Sequence, residues 1–134
     1  MTHWKTLALV AAVLVVAGGV FLLRTFDPNL AGNPFPKCSF QALTGFFCAG
    51  CGLTRAAHAL AHGDIARAVS MNPFVMFCAP ILGLIILDQV RTLPAFFQTL
   101  LRPFRGPWFW VGGTAAFWLL RNLPWYPFTL LAPG

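Results

Sequence analysis

The chain has 134 residues, with nine lysines and arginines against three acidic side chains, a formal net charge of +6. Apolar residues make up 58% and charged residues only 9%, where about a quarter is usual for a soluble domain. Such proportions exclude an ordinary water-solvated surface and leave lipid as the medium around one domain, residues 1–134.

The first apolar segment runs from Thr6 to Leu23, without a charge, between Lys5 and Arg24, with Trp4 as an interfacial anchor. It is just long enough to span a bilayer. A secretory signal begins in the same way, but Ala17-Gly18-Gly19 leads into Val20–Leu23 rather than into a polar mature start. The segment therefore reads as an uncleaved span over 6–23.

Residues 36–69 form a cysteine-rich segment expected at the membrane interface. Leu53 to His62 holds good helix formers, Gly63 ends the run, and Asp64 is placed to cap a second short helix toward Ser70. Gly45, Gly50 and Gly52 keep the preceding stretch out of regular helix. Irregular backbone near hydrocarbon is tolerated only when protein or water satisfies it, so short interfacial or re-entrant helices packed on the spans are expected.

The second span is predicted over 70–88, with Asn72 as N-cap, Pro73 at the first helical position and Pro80 as an internal kink. Residues 88–106 connect it to the third span and carry Arg91, Arg102 and Arg105, broken by Pro94 and Pro103. The third span, 107–121, opens on Trp108-Phe109-Trp110, and Gly112 with Ala116 offers a small-residue pair for close helix contact. Beyond it, Arg121-Asn122-Leu123-Pro124-Trp125-Tyr126-Pro127-Phe128 predicts an irregular tail along the bilayer surface.

The basic residues stand singly, mostly at the ends of apolar segments, where headgroup phosphates sit. No run or basic helix face suggests a nucleic-acid partner. The two sides of the membrane receive four and five basic residues, which leaves orientation open. Only if Arg55 and Arg67 belong to a packed site does the balance put the N-terminus inside and the cysteines outside.

The chemistry concentrates between Cys38 and Asp64. Cys51, Arg55, His58 and His62 are spaced by four, three and four residues, which on a helix gives one polar stripe. Within a membrane protein such a stripe faces a site, or else water and headgroups. Three chemical readings stand side by side. In the first, Cys38, Cys48 and Cys51 hold a metal, with zinc as the candidate cofactor, and the fourth tetrahedral ligand is missing. His58 lies seven positions past Cys51, roughly 10 Å along a helix, and Cys78 sits inside the second span. In the second, Cys48 and Cys51 cycle between dithiol and disulfide, with Cys38 as relay and Arg55 favouring the thiolate. In the third, a disulfide simply staples the loop.

Cys38, Thr44-Gly45, Cys48, Gly50-Cys51-Gly52, Thr54-Arg55, Gly63-Asp64, Ala68 and Asn72-Pro73 resemble the signature of a bacterial membrane-protein family called domain of unknown function 2752. The tail from Leu123 to Phe128 resembles that family's ending, so the resemblance covers about residues 36–128. Ala49 and Ser39 stand where the family usually has proline, and His58 and His62 fall outside its signature. The resemblance implies a small multi-span helical protein with no established reaction. Its polar residues include Thr54, whose hydroxyl would cap the helix, Arg55, which needs an anionic or carbonyl partner, and Asp64 as an N-cap.

The expectation is thus an all-α, small polytopic integral membrane protein with three transmembrane helices plus short interfacial helices. The expected role is non-enzymatic, a scaffold or interaction module in a bacterial inner (plasma) membrane, with its cysteine site fixed by metal or disulfide. Its partners would be the lipid bilayer and another membrane protein or a second copy. A membrane thiol-disulfide oxidoreductase using Cys48 and Cys51, or a lipid or small-molecule binder, are the alternatives.

Overall fold

The computed structural model describes residues 3–133, apart from the side chains of residues 5, 8 and 9, so the side chain of the bracketing Lys5 and both chain ends lie outside what is described. All regular structure among the described residues is helical. In chain order the helices are α1 (His3–Thr25), α2 (Ser39–Thr44), α3 (Leu53–Ala61), α4 (Ile65–Met71), α5 (Pro73–Val90), α6 (Ala95–Leu101) and α7 (Pro107–Leu120). Short 3₁₀ turns follow at Arg102–Arg105 and Phe128–Leu131.

Among the described residues α5 is the one helix long and apolar enough to cross a membrane, and Val10–Thr25 of α1 forms a shorter apolar stretch. α7, with 14 residues, spans roughly 21 Å at 1.5 Å per residue, short of a hydrocarbon core of about 30 Å. The second apolar segment begins later than the sequence pattern suggests. Ser70 and Met71 belong to α4, because Asn72 turns extended at φ −156° and its carboxamide oxygen accepts from Val75 N at 3.1 Å. Pro73, which has no N–H to lose, then opens α5, and Pro80 stays within it.

α3 and α4 form a tight hairpin whose core is made of small side chains. Ala56, Ala59 and Ala68 are buried with Met71, so the two helices approach closely, and Met76 packs below them. Gly63 at φ +79° makes the corner, and Asp64 caps α4 by accepting from Arg67 N at 2.9 Å. This hairpin is tied to the end of α1. Arg24 Nε donates to the Ala61 carbonyl at 2.8 Å, and His58 Nδ1 donates to the Leu23 carbonyl at 2.6 Å.

α5 and α7 meet near their ends through a Phe74–Phe117 stack with ring centroids 5.0 Å apart. The small residue that allows this approach is Gly113, 3.5 Å from the Phe74 ring for an added Cβ. The Gly112–Ala116 pair expected from sequence points away: both are exposed and nothing lies within 4 Å of a Cβ built on Gly112. A one-residue shift, about 100° of helix rotation, separates the two faces. The connector closes with an Arg105–Asp88 ion pair and a Trp110 Nε1 bond to the Phe104 carbonyl at 2.7 Å.

The tail does not simply lie along a surface. Its Phe128–Leu131 turn returns to α4, and Pro133 comes up against Gly52. Replacing Asp64 with alanine should cost about 1 kcal/mol of hairpin stability, whereas Asp64→Asn should be nearly neutral because Asn caps equally well. Thermal unfolding in detergent reads the difference, and equal loss in both variants would mean that the carboxylate does more than cap.

Candidate functional site

Cys38 occupies the N-cap position of α2, and the chain then turns through Gly45 into the loop 46–52. Within that loop Cys51 N donates to the Cys48 carbonyl at 3.1 Å, and Leu53 N to the Gly50 carbonyl at 3.0 Å. One loop N–H meets sulfur: Cys48 N lies 3.2 Å from Cys51 Sγ. Cys48 Sγ is 3.0 Å from Cys51 Sγ and 3.4 Å from Cys38 Sγ, and all three sulfurs lie within 4.8 Å of one another. Cys51 is buried, while Cys38 and Cys48 are half-exposed.

The carbonyls of Cys48, Ala49 and Cys51 face into the protein. They meet a guanidinium. Arg121, at the end of α7 and only 1% exposed, donates through Nη1 to the carbonyls of Cys48 at 2.9 Å and Ala49 at 3.1 Å. Its Nη2 donates to the Cys51 carbonyl at 3.2 Å. Asn72, fully buried, adds Nδ2 bonds to the carbonyls of Ala49 at 3.0 Å and Cys51 at 3.1 Å. Asn122 grips Phe47 from both sides, accepting from its N–H at 2.8 Å and donating to its carbonyl at 2.9 Å. Three side chains from two distant helix ends thus hold Phe47, Cys48, Ala49 and Cys51 of the loop.

The buried cation has no carboxylate partner among the described residues. Its guanidinium carbon sits 4.8 Å from the Phe117 ring centroid and 5.8 Å from that of Phe47, and its Nε has no hydrogen-bond acceptor. The groups that can supply negative charge to it are the thiols of Cys51 and Cys48 on the far side of the loop. Burying a guanidinium is costly unless hydrogen-bond acceptors compensate it, and three loop carbonyls do so here.

Gly52 closes the construction. It adopts φ +85°, and a Cβ there would lie 2.4 Å from the Met71 carbonyl oxygen. Only glycine allows the loop to turn into α3 while α4 lies this close.

The polar stripe expected on one helix is corrected by this turn. α3 begins at Leu53, so Cys51 lies off the helix and not in line with His58. His58 faces the end of α1 instead, with Nε2 3.7 Å from Asp27 Oδ1 and its ring against His62 at a centroid distance of 4.4 Å. The Asp27 carboxylate, held below its usual range chiefly by the Asn29 backbone and side-chain N–H groups, belongs to this separate cluster. Thr54 does not cap α3: the N-cap is Gly52, with no side-chain cap bond, and Thr54 is exposed. Arg55 lies on the exposed side of α3, and Asp64 is engaged as the α4 cap. Of the residues singled out in the sequence, the fold brings together Cys38, Cys48 and Cys51.

Arg121 and Asn122 escape the sequence pattern because a basic residue after an apolar segment reads as a headgroup anchor. The available signal is the Arg-Asn pair itself, directly after a segment with no acid near it. Asn72 is legible as a cap, but its second task of donating into the loop is not.

Residues 38–86 match the family model described as protein of unknown function (DUF2752). The match is shorter than the stretch carrying the sequence resemblance: it holds the three thiols and Asn72 and stops before Arg121. No curated protein and no solved structure matches the chain.

Beside the sulfur cluster, an open groove of about 650 Å³ runs between α2 and α7. Phe40, Trp110, Val111, Ala115 and Trp118 line it, and Cys48 with Ala49 forms one wall.

The thiols differ in acidity. Cys38 is held below the usual thiol range, first by the nearby Gln41 backbone N–H, although the geometry falls short of a regular cap bond, and then by the neighbouring sulfurs. Burial pushes Cys51 up to about 12. In metal-free, reduced protein, iodoacetamide at pH 7.5 should therefore modify Cys38 first and Cys51 last, as read by mass spectrometry of timed digests. A lowered value keeps thiolate present as pH falls, and a raised one keeps the thiol protonated. Cys51 reacting first would contradict the burial described.

Proposed function

We propose that this protein is a small, non-enzymatic integral membrane scaffold whose cysteine segment is fixed at the membrane interface by one zinc ion. The observation that carries the proposal is the convergence of three sulfurs, within 4.8 Å of one another, on a loop whose carbonyls are bound from behind by Arg121.

The donor set suits the ion. Zinc favours thiolates at about 2.3 Å in tetrahedral array, which puts sulfurs roughly 3.8 Å apart. The sulfur pairs at 3.0 and 3.4 Å need to open by less than 1 Å to reach that spacing. Cys38, Cys48 and Cys51 would hold the ion, which in this role supplies a crosslink between α2 and the loop. The Cys48 N–H aimed at Cys51 sulfur and the buried guanidinium beyond the carbonyls both stabilise negative charge on the cluster.

The membrane part of the proposal is that α1, α5 and α7 cross a bilayer, with α2–α4 and the tail at one interface. Its support is the bareness of the apolar side chains. Leu7, Val15, Phe21 and Trp108 are 69%, 74%, 67% and 83% exposed, and the buried hydrophobic core holds mainly the small residues around the α3–α4 hairpin. Hydrocarbon would solvate these faces, and the bilayer would thin to accommodate α7. The family resemblance favours a bacterial plasma membrane, and the natural partner of a scaffold is another membrane protein or a second copy.

The 3.0 Å Cys48–Cys51 sulfur contact supports a second reading, a membrane thiol-disulfide oxidoreductase. There the two thiols would lose two protons and two electrons to an acceptor disulfide, which would leave as two thiols.

The protein should sediment with membranes, require detergent for release, and carry one zinc per chain by elemental analysis. Cys48→Ser and Cys51→Ser should lose the metal, and Cys78→Ser, in a helix far from the cluster in sequence, should keep it. A zinc-free protein with a Cys48–Cys51 disulfide in peptide maps would replace the scaffold reading with the redox one.

A further inference from the structure

We propose that the side of the sulfur triad facing the α2–α7 groove binds a neutral nitrogen-donor ligand on an apolar body, which completes the zinc coordination. The inference rests on the zinc reading above and adds the class of ligand that the site takes.

The protein offers three donors where tetrahedral zinc takes four. Among the described residues no histidine or carboxylate joins the cluster, and His58, the nearest in sequence, is committed to Leu23 and Asp27. The fourth donor must come from outside the chain, and it reaches the cluster past the half-exposed thiols Cys38 and Cys48. Cys51 is buried over Asn72 and Arg121, whereas Cys48 is half-exposed and forms part of the groove wall.

The groove defines the body of the ligand. Its volume of about 650 Å³ matches a compact organic molecule, and its walls are the indoles of Trp110 and Trp118 with Phe40, Val111 and Ala115. No charged residue lines it. Charge balance then defines the donor. Zinc with three thiolates carries −1, and the single buried cation behind the loop, Arg121, cancels it. A neutral donor keeps the site neutral, while a fourth thiolate would leave an uncompensated charge in apolar surroundings. Neutral aromatic nitrogen is a good ligand for zinc.

The test uses detergent-solubilised protein loaded with Co²⁺, whose visible d–d bands report the donor set. Titration with 1-methyl-, 1-butyl- and 1-hexylimidazole, at free concentrations corrected for micelle partitioning, should give bands of a three-sulfur, one-nitrogen site. Affinity should rise at least about tenfold from the methyl to the hexyl compound as methylenes are buried in the groove. Ala115→Trp and Val111→Trp, both at exposed positions of α7, should fill the groove and abolish that rise, while Co²⁺ uptake by the three thiols is retained. Affinity independent of chain length, or hexanethiol binding tighter than 1-hexylimidazole, would overturn the proposal although the metal site stands. Failure to take up Co²⁺ at all would remove the zinc reading and this inference with it.

Discussion

The structure depends on one guanidinium placed under one loop. Arg121 takes the carbonyls of Cys48, Ala49 and Cys51, and Asn72 shares two of them. The loop N–H that meets sulfur, Cys48 N, belongs to the peptide unit whose Phe47 carbonyl is held by Asn122, beside the carbonyls that Arg121 takes. Each buried carbonyl left alone would cost about 1–3 kcal/mol. The backbone that carries Cys48 and Cys51 is held from behind, and Cys38 joins them from the start of α2.

This arrangement also connects parts that otherwise barely touch. Asn72 starts α5, Arg121 and Asn122 end α7, and the returning tail lies against Gly52. Elsewhere contacts are local: α1 is joined to α3 by two hydrogen bonds at its end, and α5 meets α7 at one aromatic stack. In water such a scatter of bare apolar helices would not hold one shape, because little surface is removed from solvent. In hydrocarbon the helices need no mutual burial, and polar contacts at their ends suffice to set their order.

Much of this was legible from residue types alone. Helices were expected where Leu53–His62 and the run after Asn72-Pro73 stand, and they form there, because caps and breakers act locally. Gly63-Asp64 made its corner for the same reason. The spacing of Cys51, Arg55, His58 and His62 misled, since helical periodicity presumes that the helix has already begun. Gly52 at φ +85° delays it by two residues. The least legible feature was Arg121. Its partners are backbone carbonyls 70 to 73 positions earlier, and carbonyls leave no trace in a sequence pattern. Three-dimensional closure is needed to see that a basic residue which looks like a headgroup anchor faces inward.

The most direct measurement is the zinc dissociation constant, by chelator competition in detergent, of the native protein and of Arg121→Gln. If the guanidinium sets the sulfur geometry and balances its charge, affinity should fall by about 10- to 100-fold while the three cysteines remain reduced. An unchanged dissociation constant would contradict the account, because the sulfur triad would then form without the cation behind it.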